Sequence, residues 1–65
     1  MDNKEVYVLV ENNPDYVNIM VYKEMDNAMS ALKELAKEND MEYYEGDNEA
    51  HGEDTYVEVR TEILN

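Results

Sequence analysis

Two alternating runs open the chain. In KEVYVLVE, residues 4–11, Val6, Val8 and Val10 fall on one side and Glu5, Tyr7, Leu9 and Glu11 on the other, the period-two pattern of a strand. NNPD follows, where Pro14 fixes φ and Asn13 and Asp15 can bond nearby backbone, so a tight turn is expected. YVNIMVYK, residues 16–23, then sets Val17, Ile19 and Val21 against Tyr16, Asn18, Met20 and Tyr22, which predicts a hairpin. After it the period turns helical: Met25, Ala28, Met29, Leu32, Leu35 and Ala36 recur on one stripe, with Asp26 as the expected N-cap and Asn39 and Asp40 as the stop. TYVEVRTEIL, residues 55–64, returns to alternation, with Thr55, Val57, Val59, Thr61 and Ile63 opposed to Tyr56, Glu58, Arg60, Glu62 and Leu64. Between helix and last strand, MEYYE at 41–45 is a candidate short strand and the polar residues after it read as a loop.

The order predicts a single α+β domain over residues 1–65: a three- or four-stranded antiparallel sheet with one helix packed on one face, in the order β-β-α-(β)-β. One helix covers one face only. The valine and isoleucine face is expected beneath it, which would leave Tyr7, Leu9, Tyr16, Met20, Tyr22 and Tyr56 displayed on the other.

Charge changes this picture more than composition does. Seventeen acidic residues against five basic ones give a formal net charge of −12, and the segment 38–54 holds eight acids with no Lys or Arg. Such a balance disfavours direct contact with nucleic acid or an anionic membrane, both of which call for cationic groups, and favours basic protein partners. The cysteine count is zero, so neither disulfides nor thiolate metal sites are expected, in keeping with a reducing cytoplasm. No apolar run reaches the roughly 20 residues of a membrane span, and MDNKEV lacks the basic and apolar regions of a signal peptide.

EGDNEAHGED, residues 45–54, concentrates five carboxylates, His51 and both glycines. A calcium loop counted from Asp47 would put Glu49, His51, Gly52 and Glu58 at its third, fifth, sixth and twelfth positions. The imidazole suits calcium poorly, and a strand stands where the exiting helix belongs. One histidine with no cysteine is a thin zinc site, so no metal and no cofactor are expected. With no nucleophile, base and oxyanion set at recognisable spacing, no catalytic residue is assigned and the chain is read as a non-enzyme. The acids have a plain reading, a solvated face that keeps the protein soluble. Their sharper reading is phosphate mimicry: acids alternating along a strand repeat at roughly 6.8 Å, spaced for a cationic groove.

A small, strongly acidic, cysteine-free chain with a tyrosine-bearing sheet and the run MEYYEGDNEAHGED resembles the phage-encoded inhibitors of host defence, including anti-CRISPR proteins and other DNA mimics. The resemblance is to a class and covers composition, so no functional residue is carried over from it. It implies stoichiometric binding, in the host cytoplasm, to a nuclease or other nucleic-acid-handling complex. The proposed contacts are acidic, at Glu42, Glu45, Asp47, Glu49, Glu53 and Asp54, and apolar, at Tyr7, Leu9, Met20, Tyr22 and Tyr56. Two alternatives stand beside it: a homo-oligomeric regulatory or structural module that pairs through its open sheet face, and a sponge that sequesters a small signalling molecule.

Overall fold

The computed structural model describes residues 4–64. It contains β1 (Lys4–Asn12), β2 (Val17–Tyr22), α1 (Met25–Glu38), β3 (Glu49–His51) and β4 (Tyr56–Leu64), joined as one antiparallel sheet in the order β2-β1-β4-β3. This is the α+β fold that the alternation predicts, with one helix on a four-stranded sheet.

Asn13 makes the first turn: its Oδ1 accepts from the N–H of Asp15 at 2.9 Å and of Tyr16 at 3.1 Å, and its own N–H donates to the Tyr16 carbonyl. The hairpin register follows, with Leu9 opposite Met20 and Tyr7 opposite Tyr22. In α1 the buried stripe is Ala28, Leu32 and Ala36, one residue per turn, and the two alanines let the helix approach the sheet closely. Glu24, not Asp26, is the N-cap, and it makes no side-chain capping bond; Asp26 sits in the first turn, where its charge complements the helix dipole. Asn39 closes the C-terminus by donating from both its backbone N–H and its side chain to the Leu35 carbonyl, and Asp40 leaves the helix at φ +54°.

The short strand lies elsewhere than expected. MEYYE contributes only one bridge, in which Glu42 and His51 exchange backbone hydrogen bonds of 2.7 and 3.0 Å. The strand itself is Glu49–His51, inside the segment expected to be a loop. Gly46, at φ +93°, supplies the turn between them, a conformation that side chains rarely adopt.

On β1 and β2 the covered face is the reverse of the expected one, whereas on β4 Val57 and Val59 are covered as expected. Leu9 is fully enclosed, and Tyr7, Met20 and Tyr22 pack against the core formed with Ala28, Leu32, Ala36, Ala50, Val57 and Val59. Strand β4 decides this. Its register sets Leu9 opposite Val59, whereas Val8 meets Arg60 and Val10 meets Glu58. On β3 and β4 only the Leu9 side is free of charge, so covering that side withdraws fewer charges from water, with Glu11 of β1 the one charged residue buried there among the described residues. The valines of β1 and β2 face outward.

Candidate binding surface

With the helix on the far side, the open face carries Val6, Val8 and Val10 from β1 and Val17, Ile19 and Val21 from β2. Paired residues in an antiparallel ladder point to the same side, so the register adds Tyr56, Glu58, Arg60 and Glu62 from β4, Glu49 and His51 from β3, and Glu42 beside His51. The face is therefore divided along the strands. Its β2–β1 half is aliphatic and its β4–β3 half is predominantly acidic.

The aliphatic half is well exposed at its outer strand: Val17, Ile19 and Val21 retain between 58% and 62% of their accessible surface. Contiguous apolar surface of this kind on a chain so rich in charge is the usual mark of a contact site. β-Branched side chains standing on a pleated strand lose little entropy when covered.

On the acidic half, Glu49 and Glu58 stand directly opposite one another. The repulsion is relieved on both sides. Tyr56 Oη donates to one carboxylate oxygen of Glu58 and Arg60 Nε to the other. Those two bonds, the tyrosine's first, hold the Glu58 carboxyl below the usual carboxylate range. The same bond, reinforced by burial, pushes the Tyr56 phenol up to about 12. Across the pair, His51 Nε2 lies 3.1 Å from Glu49 Oε1, and the His51 and Tyr56 rings are 5.0 Å apart at 43°. A row of side chains thus crosses β3 and β4 with its hydrogen bonds made internally.

The six acids expected to act together do not lie on one surface. Glu42 and Glu49 share the open face. Asp47 lies in the exposed loop before β3, and Glu53 and Asp54 lie at the β3–β4 turn, which the Gly52 N–H closes on the Thr55 carbonyl at 2.7 Å. Glu45 is on the helix side, where it accepts from Lys33 Nζ at 2.9 Å. No single strand carries them as a phosphate-like row, and on β4 Arg60 interrupts the sequence of acids. Among the described residues no group of three or more His, Asp or Glu side chains is arranged to hold a metal ion.

Of the expected apolar contacts, Tyr7, Leu9, Met20 and Tyr22 belong to the covered side, where Tyr22 Oη also reaches Met20 Sδ at 3.5 Å. Tyr56 alone of that set is on the open face. The residues missed are Val17, Ile19 and Val21. Their signal was present in β4, whose two faces differ in charge far more than those of β1 or β2.

No described helix is long and apolar enough to cross a membrane. The chain matches no protein-family model, no curated protein and no solved structure.

Proposed function

We propose that this chain is a non-enzymatic binding protein of the inhibitor kind, which docks its open sheet face on a basic, nucleic-acid-handling protein. The observation that supports this most is the division of that face into an aliphatic half and an acidic half with no second layer over either. Each half has a separate physical role. Glu42, Glu49, Glu58 and Glu62 steer a cationic partner and raise the encounter rate, while the valines and Ile19 exclude water once contact is made and slow dissociation. The acids at the β3–β4 turn, Glu53 and Asp54, extend the field beyond the sheet. This reading implies a cytoplasmic protein, acting on a bacterial defence nuclease or complex if it is phage-encoded.

The proposal requires competition with nucleic acid. A partner captured from a bacterial lysate should release its nucleic acid stoichiometrically as this chain is added. Its affinity should fall about tenfold or more as salt rises from about 50 to about 200 mM. Glu42→Gln with Glu49→Gln should flatten that salt dependence, Val10→Lys should weaken binding at every salt concentration, and Glu45→Gln, on the other side of the molecule, should change neither. A partner that holds nucleic acid and this chain together, with no mutual effect, would show the mimicry reading to be wrong.

A further inference from the structure

The sheet ends at β2, and this terminal strand has properties that the rest of the molecule lacks. YVNIMVY, residues 16–22, is the longest stretch of the chain without a charged residue. Exposed edge strands are ordinarily protected by Lys, Pro, a bulge or extreme shortness. Strand β2 has six residues and none of these devices.

Its free hydrogen-bonding groups can be assigned. The Asn13 N–H to Tyr16 carbonyl bond, at 3.1 Å, closes the hairpin. Alternation then directs the backbone groups of Asn18, Met20 and Tyr22 toward β1 and those of Val17, Ile19 and Val21 away from the sheet. The outward groups belong to the same three residues whose side chains stand exposed on the open face.

We infer that β2 pairs antiparallel with β2 of a second copy across a two-fold axis at Ile19, making one continuous eight-stranded sheet. The strand is self-complementary in that register. Ile19 meets Ile19 of the other copy through both of its backbone groups, Val17 meets Val21 on the open face, and Asn18 meets Met20 on the helix side. No residue of β2 brings a charge to the seam.

The disposition of charge selects a second copy as the occupant. Two chains of −12 repel each other, so they associate only where their acids are kept apart. Strands β2 and β3 are at opposite ends of the sheet. Joining two sheets at β2 separates the β3 edges by seven strand spacings, roughly 34 Å, about four Debye lengths at physiological salt. Pairing the open faces, or the β3 edges, would instead bring acids together. The other free stretch, Arg60–Leu64 of β4, carries Arg60 and Glu62, and the neighbouring edge groups of Val59 are already taken by the backbone carbonyl and side chain of Asn48, at 2.8 and 2.9 Å. Five residues of each β2, Val17 to Val21, pair in this register, a small interface, so dissociation on dilution is expected.

This inference is independent of the partner reading, and the variants separate them. Light scattering and sedimentation over a concentration series should show the monomer mass rising to twice its value. Because salt screens the repulsion, association should tighten between about 50 and about 500 mM, the opposite of binding to a basic partner. Ile19→Lys, at an exposed position that leaves the core untouched, should weaken association about tenfold or more by placing two ammonium groups at the axis. Val10→Lys, on the same face one strand inward, should leave it unchanged. Hydrogen exchange gives a readout without substitution: the Ile19 amide should exchange freely in dilute protein and become protected as concentration rises, while the Met20 amide is protected throughout. A chain that stays monomeric at millimolar concentration would overturn the inference. So would association that survives Ile19→Lys, or that Val10→Lys abolishes equally.

Discussion

Leu9 and Ile19 are aliphatic residues on neighbouring strands, yet the first is wholly enclosed and the second is 60% exposed. Strand β2 is uncharged on both sides, and β1 has Val6, Val8 and Val10 on one side and Tyr7 and Leu9 between Glu5 and Glu11 on the other, so neither selects the side the helix covers. The choice falls to β4, where one side presents Val57 and Val59 and the other presents Glu58, Arg60 and Glu62. Covering the second side would strip water from three charges for the sake of a few valines, and desolvating even one unpaired charge outweighs the burial of several methyl groups. Both sides of the sheet are therefore rich in apolar residues over half their width, and over the rest one is uncharged and the other charged.

The sharpest way to break this comparison is to truncate one residue on each side. Leu9→Ala should cost about 2–5 kcal/mol, nearly all the stability a domain of this size can hold, and leave the chain largely unfolded. Ile19→Ala should cost roughly 0.5 kcal/mol, the scale of a surface change. Urea unfolding followed by circular dichroism measures both, and equal losses would contradict the assignment of faces.

A second test concerns how the acidic half is kept on the sheet. Asn48 bonds both edge groups of Val59 and ends β3 there. Asn48→Ala should cost about 1 kcal/mol, one hydrogen bond of ordinary strength, and should accelerate exchange of the Val59 amide.

Smaller still are the titrations on the open face. The Glu58 carboxyl is lowered, so its contribution to stability is complete above the ordinary carboxylate range and is lost as pH falls through its folded value. Tyr56 is raised from 10.0 to about 12, so its contribution is complete below 10 and disappears as pH climbs toward 12. Ultraviolet titration should find Tyr56 ionising late, and Glu58→Gln should return it toward the ordinary value. On the helix side, the exposed Lys33–Glu45 pair should have the least effect of all: Glu45→Gln should leave the urea midpoint unmoved.

Much of this architecture was legible in the residues. Period-two runs identified β1, β2 and β4, the helical stripe identified α1, and Pro14 with Asn13 and Asp15 marked the turn. What escaped was information that belongs to pairs of strands. The face of a strand can be read from its own alternation, but which faces join is set by register, and register appears only when Leu9 is placed opposite Val59. Glu49–His51 escaped for a related reason: three residues, two of them polar, carry no periodic signal, and Ala50 joins the core only once it is placed opposite Val57 and against the helix. The acids of the candidate site were legible as a charge and not as a shape, since Glu45 and Glu49 are close in sequence yet lie on opposite sides of the molecule.

The strand order has a kinetic consequence. The central seam joins β1 to β4, pairing Lys4 with Leu64 and Asn12 with Tyr56, so the first and last strands must meet before the core can close. Until β4 arrives, the β1–β2 hairpin has apolar residues on both sides and no neighbouring strand to commit either one to the core. Folding should accordingly be limited by this long-range encounter, slower than for a helical domain of equal length, and the hairpin's uncommitted valines are most vulnerable to misassociation during that interval.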